Sequence, residues 1–157
     1  MKFLTEHGAD IYGNEDENEN LLSIVCLNGN EAIIKYLVEY GIDVNRENWE
    51  GKTPLSIACE NENESIMKYL VEHGADMNKE NEKGETPLFI VCKNGNEAIV
   101  KYLIEHGADT NKENENGETP LSIACYNENE IMVKCLVELG ADINKKNKYG
   151  ITPLSFA

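Results

Sequence analysis

The chain repeats itself at a fixed step, and that step constrains its fold more than any other property. Thr-Pro-Leu begins at Thr53, Thr86, Thr119 and Thr152, always 33 residues apart. A period of this length implies one supersecondary unit stacked on copies of itself. The repeat is more than a tripeptide. Gly-Ala-Asp begins at Gly8, Gly74, Gly107 and Gly140, with Gly-Ile-Asp at Gly41, and cysteine recurs at Cys26, Cys59, Cys92 and Cys125.

Local chemistry predicts what each unit contains. Thr53 is a good helix N-cap, and Pro54 suits the first helical position, where no N–H is needed. Leu55, Ile57 and Ala58 open an apolar stripe on a short first helix. Asn63 caps a second helix in which Ile66, Met67, Leu70 and Val71 form one apolar face. Gly74 ends that helix by taking the left-handed conformation at little cost. Lys68 with Glu72, and Lys101 with Glu105, lie one turn apart on its exposed side, in the weaker orientation for such a pair. Neither helix can bury its apolar face alone, so every unit depends on its neighbours.

The segments "GKTPLSIACENENESIMKYLVEHGADMN", "GETPLFIVCKNGNEAIVKYLIEHGADTN" and "GETPLSIACYNENEIMVKCLVELGADIN" resemble the ankyrin repeat, with its turn, its T-P-L-H-x-A start and two helices closing in G-A-D. The resemblance spans essentially the whole chain. It implies an all-α fold, an ankyrin-repeat solenoid of stacked helix-turn-helix units with projecting β-hairpin loops. Residues 1–157 then form one repeat domain: a partial repeat at 1–14, full repeats at 15–47, 48–80, 81–113 and 114–146, and a partial repeat at 147–157. The register suggests a fragment of a longer array. It also predicts apolar end surfaces, from Phe3 and Leu4 at one end and Leu154 and Phe156 at the other, with weak end-to-end self-association. Two departures stand out. The family's His is Ser23, Ser56, Ser122 and Ser155 here and Phe89 in the middle copy, and the first copy reads Asn20-Leu21-Leu22 in place of Thr-Pro-Leu.

Other chemistries find little support. Four of the five cysteines share one repeat position. Stacked helices stand roughly 8–10 Å apart, beyond the reach of a disulfide, and there is no C-x-x-C spacing for a metal. Buried thiols in a reducing cytoplasm are the expectation, with Cys135 near enough to Cys125 in its own unit to be considered for a bridge. His7, His73 and His106 each precede a terminating glycine, where a ring can bond the free carbonyls of the helix end. One His per unit, with no nucleophile converging on it, does not make a catalytic site. No apolar stretch approaches the roughly 18 residues of a membrane span. The expectation is a non-enzyme without cofactor or metal, binding neither nucleic acid nor membrane.

Invariant positions are spent on packing, so the informative ones vary between copies. They are the hairpin tips and the residue that ends each first helix, Leu27, Glu60, Lys93 or Tyr126. In the ankyrin family these line a concave groove that binds partner proteins. The resemblance therefore implies a contact surface of Asp16, Glu17, Glu19, Trp49, Glu50, Lys52, Glu60, Lys83, Lys93, Tyr126 and Tyr149. Trp49 is the one tryptophan of the chain and sits in a polar turn, as interface anchors often do. Charge refines the partner: the net charge is −15, and residues 15–47 carry two basic against eight acidic side chains. Such a field repels phosphates and favours a basic protein segment. The reading is a protein-interaction scaffold, with an architectural spacer inside a larger protein as the alternative.

The resemblance also implies that Asn45, Asn78, Asn111 and Asn144 are substrates of an asparaginyl hydroxylase. Incubation with such an enzyme is expected to add oxygen mass at these residues, and an unchanged intact mass would count against it.

Overall fold

The structure, a computed structural model, describes residues 21–156. Among them lie eight α-helices and a short 3-10 helix, in two compact units divided after Asp76. The first unit holds α1 (Leu21–Leu27), α2 (Glu31–Glu39), α3 (Pro54–Glu60) and α4 (Glu64–Glu72). The second holds α5 (Pro87–Asn94), α6 (Glu97–Glu105), α7 (Pro120–Tyr126), α8 (Glu130–Glu138) and the 3-10 turn Pro153–Phe156. In each unit first helices pack on first helices and second on second, α1 on α3 and α2 on α4, then α5 on α7 and α6 on α8.

The caps form where the sequence places them. The hydroxyls of Thr53, Thr86 and Thr119 accept the N–H of Ser56, Phe89 and Ser122, with proline at the next position. Asn30, Asn63, Asn96 and Asn129 cap the second helices in the same way, accepting from Ile33, Ile66, Ile99 and Met132. Serine at the family's His position turns inward: the Ser56 and Ser122 hydroxyls donate to Thr53 O and Thr119 O, both at 2.8 Å, closing the cap locally. Phe89 is buried there instead.

The core is a thin apolar layer between the two helix rows. Leu55, Ile57, Ile66, Met67 and Leu70 in one unit, and Leu88, Ile99, Leu103, Leu121 and Leu136 in the other, are at most 2 % exposed. Truncating one of them to alanine typically costs about 2–5 kcal/mol. The cysteines belong to this layer. All five are free and buried, and burial pushes the Cys26 thiol up to about 12. Burial likewise raises Cys92, and a smaller contribution comes from Cys135. Cys135 therefore has the cysteine of the preceding repeat as a neighbour.

On the outer face Lys68 pairs with Glu64 at 2.6 Å, not with Glu72. The carboxylate one turn before the lysine is the favoured orientation, and Lys35–Glu31 and Lys134–Glu130 follow it. His73 and His106 donate through Nδ1 to Tyr69 O and Tyr102 O, each at 2.7 Å, and lie tilted against those tyrosine rings with centroids 4.0 Å apart. Leu154 is 77 % exposed. Phe3, Leu4 and the Phe156 side chain lie outside the described residues.

The loops are tight turns, and no strand is present among the described residues. Each is built on one asparagine: Asn81 Oδ1 accepts the N–H of both Lys83 and Glu85, and Asn48, Asn114 and Asn147 repeat the pattern. Side-chain bonds thus take over much of what a strand ladder would supply, leaving two backbone bonds in each turn, such as Asn81 N–H to Glu85 O at 3.1 Å and Gly84 N–H to Asn81 O at 2.9 Å. Consecutive turns touch through backbone, Glu115 N–H to Lys83 O at 3.1 Å and Lys148 N–H to Asn116 O at 3.2 Å. Glycine makes this approach feasible, because a Cβ on Gly84 would stand 2.7 Å from Glu115 N.

Backbone strain gives a paired test. Gly84→Ala is expected to cost about 2 kcal/mol or more, because it adds a backbone clash to its left-handed φ of +71°. Gly140→Ala has φ +92° but nothing within 4 Å of its Cβ, and should cost only about 1 kcal/mol. Glu62, at φ 54° where two other repeats carry Gly29 and Gly95, should gain up to about 1 kcal/mol as Glu62→Gly. Urea denaturation of the three variants checks the order.

Candidate interaction surface

The variable residues are displayed by the asparagine turns, so their positions are fixed even where their side chains are exposed. In the first unit Asn48 Oδ1 accepts the N–H of Glu50 and Lys52 at 3.0 and 2.9 Å. Trp49 projects from this turn at 61 % exposure. Lys52 reaches to the end of α3, where its Nζ lies 2.9 Å from Glu60 Oε2 and 3.0 Å from Glu50 Oε2. Partial burial alone would lower the Lys52 ammonium. The two carboxylates outweigh it and hold the group above its ordinary value. Sequence reasoning offered Lys52, Glu50 and Glu60 as separate contacts, whereas the structure ties them into one cluster with a net charge of −1.

The second unit repeats this arrangement with the charges exchanged. Glu85 stands at the turn position of Lys52, and Lys93 at the helix-end position of Glu60. Lys93 Nζ lies 3.5 Å from Glu85 Oε1, and Asn81 Nδ2 donates to the other carboxylate oxygen at 3.1 Å. In the next repeat Glu118 is held the same way by Asn114 Nδ2 at 2.9 Å, and the helix-end residue is Tyr126, 67 % exposed. Lys83 is an exposed tip residue whose carbonyl receives the following turn, and Tyr149 is 76 % exposed. The structure thus joins turn base to helix end in two repeats, through Lys52–Glu60 and Glu85–Lys93. Asp16, Glu17 and Glu19 lie outside the described residues.

One exposed residue was undervalued by sequence reasoning. Leu27 ends α1 at the repeat position of Glu60 and is 57 % exposed. Its signal was its register, since a large aliphatic residue at a position otherwise held by Glu60, Lys93 and Tyr126 departs from solvent-facing usage.

A second series of side chains binds repeat to repeat. Asn45 Nδ2 donates to Gly74 O at 3.0 Å while Asn45 Oδ1 accepts from Asp76 N–H at 2.7 Å. Asn78 spans Gly107 O and Asp109 N–H, and Asn111 spans Gly140 O and Asp142 N–H. Lys112–Glu80 and Lys145–Glu113 run alongside at 3.1 and 3.6 Å. These groups build the frame.

Among the described residues no cluster of three or more His, Cys, Asp and Glu side chains is arranged to hold a metal ion. Nor is any described helix long and apolar enough to cross a membrane. A family model described as "Ankyrin repeats (3 copies)" matches residues 1–81 and again residues 73–147. A search of curated proteins returns no match.

The exposure of Trp49 is directly measurable. Its emission should be red-shifted, close to that of free indole in water, with nearly unhindered acrylamide quenching. A blue-shifted, protected tryptophan would show that the turn folds its ring onto the protein.

Proposed function

The chain belongs to the ankyrin repeat family, and on that premise we propose that it is a non-catalytic scaffold that binds a partner protein through its turn tips and first-helix ends. Repeats of this family are generally protein-interaction modules and typically non-catalytic. The observation that carries the reading is Trp49. A large amphipathic ring stands 61 % exposed on a turn whose backbone is locked by Asn48. The turn's backbone therefore has little conformational freedom left to lose on binding, and aromatic anchors dominate interface energetics. Leu27 adds exposed apolar surface in the same unit.

Charge supports a basic partner segment. The Lys52 cluster keeps one surplus negative charge beside Trp49, and Asp16, Glu17 and Glu19 add acid in the preceding turn sequence. Contacts of two kinds then divide the work: charge sets the encounter rate and the apolar anchor sets the lifetime.

Kinetics on a partner recovered by pull-down would test this. Trp49→Ala should speed dissociation and cost about 2 kcal/mol, whereas neutralising Asp16, Glu17 and Glu19 should slow association and flatten its salt dependence. Unchanged rates in both variants would sink the proposal and leave the chain as a spacer.

A further inference from the structure

In three repeats the turn-base residue stands eight positions before the residue that ends the first helix: Lys52 before Glu60, Glu85 before Lys93, and Glu118 before Tyr126. The first two close as ion pairs, with Lys52 Nζ 2.9 Å from Glu60 Oε2 and Lys93 Nζ 3.5 Å from Glu85 Oε1. The third does not, because tyrosine brings no positive charge. Glu118 is nevertheless held as Glu85 is. Asn114 Oδ1 accepts the Glu118 N–H and Asn114 Nδ2 donates to Glu118 Oε2, both at 2.9 Å, while Asn81 makes the same two bonds to Glu85 at 3.0 and 3.1 Å. Glu118 Oε1 therefore holds the position at which Glu85 Oε1 takes an ammonium, and among the described residues no ion pair involves Glu118.

The missing cation is an exchange inside one repeat. Both closed pairs join residues of the same repeat, so a neighbouring repeat is not the source of the cation. The turns before and after Glu118 are both present, built on Asn81 and Asn147, and the second bonds the Glu118 turn through Lys148 N–H and Asn116 O. What remains is a half-buried carboxylate, fixed in orientation and lacking the charge that its counterpart has. Tyr126, which replaces the lysine, is 67 % exposed. An aromatic ring there offers a cation its electron-rich face.

We propose that Glu118 and Tyr126 form a subsite for a lysine side chain of the partner protein. The proposal rests on the reading of turn tips and helix ends as the contact surface, and adds to it a defined chemical contact in the second unit. Lys93 on Glu85 is the internal precedent for the occupant. One oxygen of Glu118 is already bonded to Asn114, so a single contact is left for a visitor. A compact ammonium fits that better than a guanidinium, whose strength lies in two parallel bonds to both carboxylate oxygens. The Tyr126 ring can also lie along the lysine's methylene stem. The net charge of −15 draws basic segments to the chain as a whole, whereas Glu118 gives one lysine a fixed destination.

Amide chemical shifts of the isotope-labelled full chain test this, at physiological ionic strength, where exposed charges more than about 8 Å apart are largely screened. The titrants are the peptide acetyl-Gly-Lys-Gly-amide and the same peptide acetylated on the lysine Nζ. The lysine peptide should move the amides of Glu118 and Tyr126 along a saturating curve, and the acetylated peptide should move neither. Glu118→Gln keeps an acceptor for Asn114 but loses the charge, and should weaken binding at least fivefold. Tyr126→Lys should fill the subsite from within and abolish binding, whereas Lys93→Tyr should open a second one at Glu85. Circular dichroism should match the wild type in all three variants, since these side chains lie outside the packed layer. Equal shifts at every turn would reveal only diffuse attraction and overturn the subsite. So would an acetylated peptide that binds as well, a Glu118→Gln variant with unchanged affinity, or a Lys93→Tyr variant that gains no site. Should that happen while Trp49→Ala still speeds release of the partner, the lysine subsite fails and the wider interaction surface stands.

Discussion

Each repeat hands its backbone to the next through one asparagine side chain. Asn45 gives its amide N–H to Gly74 O and takes the N–H of Asp76 on its carbonyl oxygen, satisfying two groups at a helix exit where a chain has orphan carbonyls to place. A planar amide does this at one distance and one orientation, so it sets spacing and rotation between neighbours together. The core layer follows from that setting, because Leu103 and Leu136 occupy equivalent places only if successive second helices arrive in register. Gly84 and Gly117 are the matching steric condition, letting backbone meet backbone at Lys83 O with Glu115 N–H and at Asn116 O with Lys148 N–H.

With the frame fixed by invariant residues, the variable ones are free to change sign. Lys52–Glu60 and Glu85–Lys93 are the same geometric pair with the charges exchanged. Partly exposed ion pairs of this kind contribute at most about 1 kcal/mol to stability. Their larger effect is to decide how much charge each repeat leaves unpaired for a visitor, and Glu50 makes that remainder negative in the first unit.

Elements that rest on spacing within a few residues were legible in the sequence: threonine and asparagine caps, proline at the first helical position, the buried stripe, and histidines bonded to their own helix ends. Each depends only on groups within one turn of helix. The partner of Lys68 was not, because Glu64 and Glu72 are both one turn away and orientation alone favours the first. Nor were the Lys52 cluster and the Lys93 pair, since they join a turn to a helix end eight residues on, across a bend whose shape no periodicity encodes. The requirement for glycine at Gly84 and Gly117 was not legible either, since it is set by the backbone of the neighbouring repeat.

The inter-repeat hydrogen bonds, from Asn45 Nδ2 to Gly74 O up to Tyr69 Oη to Lys35 O, join residues 29 to 34 positions apart, and among the described residues none reaches over a whole intervening repeat. Copy number is therefore nearly invisible to the bonding pattern. Duplicating or deleting a block of 33 codons leaves every kind of bridge intact and changes only how many there are. A lineage carrying this gene can lengthen or shorten its recognition surface in single recombination events, without first passing through a chain that cannot fold.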